Sequence, residues 1–113
     1  MVYAADNPAL AALEVRVHLD LPFDLLPDDY RLLAIDCPDD AVETVDAVPA
    51  DTAEYGTAWL RSGRSAALRV PSLLVPECRN VLVNPAQVSA ARIEIAGARA
   101  FHFDPRLWLG AGA

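Results

Sequence analysis

The chain contains no lysine, so its nine positive side chains are all arginines. Sixteen acidic side chains oppose them and give a formal net charge of -7. This balance argues against a nucleic-acid backbone as the partner, because such a partner is held by a broad basic surface. One or two arginines can still hold a small anionic ligand.

Long apolar runs and metal-ligand spacings are also lacking. No apolar run approaches the roughly 20 residues that span a bilayer, and the N-terminus lacks a charged region followed by an apolar one. We therefore expect a cytoplasmic protein. Cys37, Cys78, His18 and His102 do not complete a ligand spacing, so we expect no metal and reduced thiols.

The length and the apolar content together predict one domain. The chain has 113 residues, of which 54% are hydrophobic, and this is ample for one compact core. We expect an α+β fold with a mostly antiparallel β core and few helices. Residues 1–109 should form the domain, and residues 110–113, Gly-Ala-Gly-Ala, should be a frayed tail.

The first predicted elements are a short strand over residues 2–5 and a helix over residues 8–18. Asp6 or Asn7 can cap this helix, and a proline at its first position fits well. Glu14 lies on the flank of the apolar face, where a carboxylate is either solvated or aimed into a cleft. The apolar stripe of the helix comprises Leu10, Leu13 and Val17.

Further along, the pattern alternates between β-type segments and loops. The predicted elements are a mostly buried strand over 30–36, an acidic and mobile segment over 39–56, a short helix over 57–61 that anchors Trp59 and ends at Gly63, and a hairpin of 91–95 with 100–104 about Gly97. The hairpin residues expected to face the core are Ile93, Ile95, Phe101 and Phe103.

The stretch from 68 to 85 places two apolar runs, 68–70 and 81–83, around a stiff turn. The turn holds Ser72 between Pro71 and Pro76, and proline can neither continue a central strand nor donate a backbone hydrogen bond. Ser72 then either satisfies a nearby backbone group or points into a site. Spacing alone favours the backbone role.

The residues that could carry chemistry are few, and each has an ordinary structural alternative. Tyr3 could be a core aromatic, Glu14 a solvated helix side chain, and Asn84 a turn residue before proline. His18 could simply stabilise the end of the helix. Spacing alone therefore does not indicate an enzyme.

The order of the motifs carries more information than any single residue. The chain contains Val-Tyr-Ala-Ala, Ala-Leu-Glu-Val-Arg-Val-His, Leu-Arg-Val-Pro-Ser, Asn-Val-Leu-Val-Asn-Pro and Phe-His-Phe-Asp-Pro-Arg-Leu, in that order. In this it resembles the RES-domain family, which is named for an arginine, a glutamate and a serine. The resemblance runs from Val2 to about Leu107. It implies a bacterial toxin of a toxin-antitoxin pair, with a fold related to ADP-ribosyltransferases and NAD as its substrate.

The resemblance also implies roles for particular residues. Glu14 matches the family glutamate, Ser72 the family serine, and Tyr3 the tyrosine that precedes the glutamate; we expect Glu14 and Ser72 to be catalytic and Tyr3 and Asn84 to bind NAD. A carboxylate can stabilise the oxocarbenium character that develops when the nicotinamide–ribose bond breaks. The implied partner is an Xre-type helix-turn-helix antitoxin that covers the active site in a hetero-oligomer and supplies any DNA contact.

One part of the family pattern is missing. The family arginine belongs to a segment upstream of the tyrosine, whereas here the tyrosine is the third residue. We expect either an N-terminally shortened domain or a start codon that is placed too far downstream. Loss of that arginine should weaken NAD binding by roughly 1.5 to 3 kcal/mol, which is more than tenfold. Two hypotheses follow: an NAD-degrading toxin acting by hydrolysis, phosphorolysis or ADP-ribosyl transfer, and a catalytically impaired domain that only binds the antitoxin.

Overall fold

The computed structural model of the protein describes residues 1–109. Its strands are β1 (Val2–Ala5), β2 (Arg31–Asp36), β3 (Val42–Thr44), β4 (Ala67–Pro71), β5 (Arg79–Val83) and β6 (Glu94–Ala100), and its α-helices are α1 (Pro8–His18) and α2 (Thr52–Ser62). The predicted α+β class with a mostly antiparallel core is confirmed. The predicted frayed tail, residues 110–113, lies outside the described residues.

The strands form a four-stranded sheet in the order β1-β5-β4-β3 and a two-stranded sheet of β2 and β6. All pairs are antiparallel except β3 with β4, which α2 connects as a parallel crossover. Tyr3 lies opposite Leu82, and Leu82 lies opposite Leu68. Because side chains alternate along a strand, these three share one face of the sheet, and Arg69 and Val81 share the other.

Helix α1 begins as the sequence predicts. Asn7, rather than Asp6, caps it, since the Asn7 side chain accepts a hydrogen bond of 2.8 Å from the Leu10 amide. Leu10 is buried, but Leu13 and Val17 are 38% and 54% exposed. The predicted apolar stripe is therefore right at its first position and wrong at the other two, because the helix packs along β1 at the edge of the sheet.

Helix α2 is longer than predicted. It begins at Thr52, where the Asp51 side chain accepts from the Glu54 amide at 3.0 Å, and it ends at Gly63, whose φ of 62° is left-handed. Trp59 is 1% exposed and donates to Ser65 Oγ at 2.8 Å, so it anchors the helix as expected. The acidic segment 39–56 is thus not a continuous loop: it contains β3 and the first part of α2.

The predicted hairpin about Gly97 is wrong. Gly97 lies in the middle of β6, opposite Ala34, and the pairing of β2 with β6 shifts register between Ala34 and Ile35. Glycine within a strand is common beside such irregularities, and in the sequence it cannot be told from a glycine in a turn. The segment between the two expected strands is therefore itself a strand, and it pairs with β2.

The second sheet is also more exposed than predicted. Strand β2 is not mostly buried, since Leu33 and Ile35 are 47% and 39% exposed, and Ile95 on β6 is 65% exposed. Phe103 is buried as expected and packs edge-to-face against Tyr30, although it follows β6 instead of lying in a strand. The apolar pattern correctly identified β2, whereas the predicted strands 91–95 and 100–104 are replaced by the single strand β6.

No helix within residues 1–109 combines the length and the apolar character needed to cross a membrane.

Candidate functional site

Ser72 closes the turn that follows β4. Its backbone amide donates to the Cys78 carbonyl at 2.9 Å, and its Oγ accepts hydrogen bonds from the amides of Leu74 and Val75 at 3.1 and 3.2 Å. The residue is 1% exposed. The backbone role that spacing favours for Ser72 is therefore present.

The same hydroxyl also reaches helix α1. Ser72 Oγ donates to Glu14 Oε1 at 3.1 Å, across 58 residues of sequence. A hydroxyl has one proton and two lone pairs, and the two amides occupy the lone pairs, so the proton is directed at the carboxylate. Both roles considered for Ser72 thus coexist, and its lone pairs are engaged rather than available for nucleophilic attack.

Glu14 is half-buried, one of its carboxylate oxygens is held by Ser72, and the residue lines the cleft described below. Within residues 1–109, Oε2 of Glu14 has no hydrogen-bond donor and is not buried. His18, one turn further along α1, donates from Nδ1 to the Glu14 backbone carbonyl at 2.8 Å. The imidazole therefore stabilises the last turn of the helix, which is the ordinary role considered for it.

A cleft of about 940 Å³ lies between α1, α2 and the Tyr3 face of the four-stranded sheet; we call it the Glu14 cleft. Tyr3 is 75% exposed, so the alternative of a core aromatic is wrong. Polar and aromatic side chains lining this cleft are Tyr3, Glu14, His18, Thr52, Tyr55, Thr57 and Asn80. Tyr3, Glu14 and the Ser72 hydroxyl that holds it are thus brought together at one site.

Two cleft residues, Tyr55 and Asn80, were not identified from the sequence. Asn80 lies opposite Ala5 in the pairing of β5 with β1, on the face that also carries Tyr3. Alternation along β5 would have placed it there once β1 and β5 were paired. Tyr55 could have been found only by extending α2 back to its Asp51 cap.

Asn84 lies elsewhere. It is 6% exposed, its side chain donates to the Leu60 carbonyl at 3.2 Å, and it accepts from the Ala86 amide at 3.1 Å. These bonds fasten the end of β5 to α2, and Asn84 is not among the residues that line the Glu14 cleft. Its expected contact with NAD remains a prediction that these bonds do not support.

Metal-ligating side chains are scattered across the described part of the chain. Among residues 1–109, no three His, Cys, Asp or Glu side chains lie close enough together to hold a metal ion. The polar lining of the Glu14 cleft instead consists mainly of one carboxylate, one imidazole, two phenols and one amide.

Comparison with known proteins agrees with the motifs. A family model described as the RES domain matches residues 1–104. The chain is 37% identical to the Prs ADP-ribosylating toxin of Sphingobium sp. (strain YBL2), over 95% of this chain and 74% of the relative. It is 38% identical to Toxin Res of Photorhabdus laumondii, over 74% of this chain and 60% of the relative. Toxin Res of Yersinia enterocolitica is 34% identical, over 94% of this chain and 76% of the relative.

Proposed function

The chain belongs to the RES domain family, and from this premise we propose that it is the toxin of a toxin-antitoxin pair that degrades NAD by cleaving the nicotinamide–ribose bond. The observation that carries the proposal is the hydrogen bond from Ser72 to Glu14 at the cleft that Tyr3 also lines. Three relatives named as toxins, one of them as ADP-ribosylating, support it.

Glu14 is the residue proposed to act on the ribose. As the nicotinamide bond breaks, positive charge develops on the ribose ring, and a fixed carboxylate beside it lowers the energy of that transition state. Oε2 of Glu14, which has no donor within residues 1–109, is available to accept a hydrogen bond from a ribose hydroxyl. The leaving group is neutral nicotinamide, which takes the bonding electron pair.

Ser72 is a positioning residue in this proposal. It is buried, and its one proton is directed at Glu14 while two backbone amides hold its oxygen. This arrangement fixes the carboxylate before the substrate arrives, so little reorganisation is needed at the moment of bond cleavage. Ser72 thus acts through Glu14.

Tyr3 is the residue proposed to bind the nicotinamide ring. Its side chain is 75% exposed and lines the Glu14 cleft, so an aromatic face is available for stacking. The volume of about 940 Å³ lies at the upper end of the range usual for small-molecule sites, roughly 300 to 1,000 Å³. Asn80 adds an amide on the same wall.

The acceptor of the ADP-ribose is water, phosphate or a protein side chain. Each acceptor completes the same cleavage, with the bond to nicotinamide broken and a bond to the acceptor oxygen or nitrogen formed. Mass spectrometry of the ribose product distinguishes ADP-ribose, its phosphorylated form and a modified protein. We propose that the reaction takes place in the cytoplasm, with NAD as substrate and without a metal.

The proposed partner is an Xre-type helix-turn-helix antitoxin that covers the Glu14 cleft. Exposed apolar side chains lie along the mouth of that cleft: Tyr3 is 75% exposed, Leu73 72% and Val48 43%. A partner that removes this surface from water gains hydrophobic stabilisation and blocks the entry of NAD at the same time.

A second candidate function is antitoxin binding without turnover. It is favoured by one observation: within residues 1–109, no arginine lines the Glu14 cleft. NAD carries a pyrophosphate, and a guanidinium is the usual side chain for binding it at two points. On this alternative the domain keeps the partner-binding surface but binds NAD weakly.

Release of nicotinamide from NAD by the purified protein tests the first function. We expect Glu14→Gln to lower the rate at least 100-fold, because it removes the charge and leaves an oxygen for the Ser72 hydroxyl. Glu77→Gln is the matched control, since Glu77 is exposed and lies outside the cleft. Equal rates in the wild type and Glu14→Gln would sink the catalytic proposal, and a stable complex with the antitoxin would then support the second function.

A further inference from the structure

Arg69 lies on the face of the four-stranded sheet that is turned away from the Glu14 cleft. Its neighbours Leu68 and Val70 line that cleft, whereas Arg69 lines the space on the other side. The Nε of Arg69 is buried and has no hydrogen-bond partner. Of the polar side-chain atoms described in residues 1–109, it is the one buried without a partner.

The space that Arg69 faces is a second cleft of about 940 Å³, bounded by the two sheets and α1; we call it the inter-sheet cleft. Its lining is mostly aliphatic and aromatic, with Leu32, Val81, Phe101 and Phe103 among its residues. Such walls suit a small molecule with an apolar body and a few polar anchors.

The charges around the inter-sheet cleft leave Arg69 without a counter-ion. The four ion pairs within residues 1–109 do not include Arg69, nor Arg31 and Arg99, which also line this cleft. Asp6 and Asp36 line it too, and in the same part of the chain neither forms an ion pair with an arginine. Three guanidinium groups against two carboxylates favour an anion in this cleft, although the protein as a whole is acidic.

The thiol of Cys37 also lines the inter-sheet cleft and becomes an anion when it loses its proton. Burial raises the pKa of Cys37, and the Arg69 charge only partly opposes this effect. The thiol is therefore protonated at neutral pH and does not neutralise Arg69. A buried Nε–H without an acceptor is unfavourable, and a ligand oxyanion would supply that acceptor.

We propose that the inter-sheet cleft binds a small organic oxyanion, with its carboxylate or phosphate on Arg69 and its apolar body against Leu32, Phe101 and Phe103. Its anion-binding group, Arg69, lies on the opposite side of the sheet from Glu14, and the two clefts adjoin at β1, where Tyr3 lines both. Arg31 and Arg99, both exposed, add positive potential at the rim of the inter-sheet cleft.

Calorimetric titration with three matched probes tests the proposal. The probes are 4-phenylbutyrate, 4-phenylbutyl phosphate and the neutral 4-phenylbutanol, which share one apolar body. We expect at least one anion to bind tenfold or more tightly than the alcohol, and the tighter of the two anions identifies carboxylate or phosphate as the natural group. Equal affinities for all three probes would overturn the proposal.

Variants assign the binding to Arg69. We expect Arg69→Met to weaken the preferred anion at least tenfold and to leave the alcohol unchanged, and Arg69→Lys to keep part of the preference for the anion. Arg61→Met is the matched control, because Arg61 is exposed on α2 and lines neither cleft. If Arg69→Met disturbs the fold, as circular dichroism would reveal, Arg69→Gln repeats the loss of charge with a polar side chain.

Competition with NAD separates the two sites. Excess NAD should leave the anionic probe bound, and complete displacement by NAD would overturn the assignment of a separate site. Unchanged anion binding in Arg69→Met would do the same. Failure of the protein to release nicotinamide concerns the Glu14 cleft alone and leaves this test intact.

Discussion

Replacing Ser72 by alanine removes three hydrogen bonds at once. Its Oγ accepts from the amides of Leu74 and Val75 and donates to Glu14. A neutral hydrogen bond contributes about 1 kcal/mol to stability, and one to a charged group about 1.5 to 3 kcal/mol. Water can replace part of these bonds, because Glu14 is only half-buried, so we expect a loss of about 2 to 4 kcal/mol.

Thermal and urea denaturation measure this loss. For a domain of this size, 1 kcal/mol corresponds to about 4 °C in Tm, so Ser72→Ala should melt about 8 to 16 °C below the wild type. Ser89→Ala is the control, because the Ser89 hydroxyl makes no hydrogen bond within residues 1–109. A loss below about 0.5 kcal/mol for Ser72→Ala, equal to that of a surface change, would refute the reasoning from these bonds.

The same variant separates positioning from folding. At a temperature where Ser72→Ala remains folded, release of nicotinamide should show a lower kcat with little change in KM, since the carboxylate is freed but the cleft is kept. Ser72→Thr retains the hydroxyl and should recover part of the activity. An unchanged kcat in folded Ser72→Ala would show that the hydroxyl does not position Glu14 for catalysis.

Two further predictions concern stability and titration. Gly63 has a φ of 62°, and a Cβ added there would meet nothing within 4 Å. Gly63→Ala should therefore lower the free energy of unfolding, measured by urea denaturation, by about 1 kcal/mol through backbone strain alone. An unchanged free energy would contradict this account, and Gly97→Ala is the control because Gly97 has no positive φ. The Arg106 side chain lowers the pKa of Asp104 to about 2, so the stabilisation from this pair is complete above the ordinary carboxyl value of 3.8 and is lost as the pH falls through about 2. NMR titration of the Asp104 carboxyl in Arg106→Gln should return its midpoint towards 3.8, and an unmoved midpoint would disprove the assigned cause.

Elements with local signals could be predicted from the sequence. The α1 helix has a capping asparagine and a first-position proline, and β4 and β5 are short apolar runs that end at prolines or a turn. These signals act within a few residues, so no partner is needed to recognise them. The end of α2 at Gly63 belongs to the same group.

Elements that depend on distant partners could not be predicted correctly. The glycine at position 97, between two apolar segments, is typical of a hairpin turn. Instead, β6 pairs along its length with β2, a strand that lies far earlier in the chain. The exposure of Leu33 and Ile35 has a related cause: alternation identifies the faces of a strand and does not say what covers them. The start of α2 contains few large apolar residues, so no helical periodicity marks it in the sequence.

The candidate site was predicted through the family resemblance more than through spacing. Spacing suggested that Ser72 bonds a local backbone group, and the resemblance placed it in one site with Glu14. The hydroxyl bonds both the backbone and Glu14. Asn84 matched a motif but is used to fasten β5 to α2. Asn80 was overlooked because only the pairing of β1 with β5 reveals which face it shares with Tyr3.

The pairing of β1 with β5 also joins two segments that are synthesised several seconds apart. Val2 lies opposite Val83, so the first strand emerges from the ribosome long before its partner exists. At about 5 to 20 residues per second, the roughly 80 residues between them take about 4 to 16 s to make. Glu14 waits for Ser72 for about 3 to 12 s of this time, because 58 residues separate them. Any protein that binds α1 on the nascent chain during that wait meets a carboxylate that Ser72 does not yet hold.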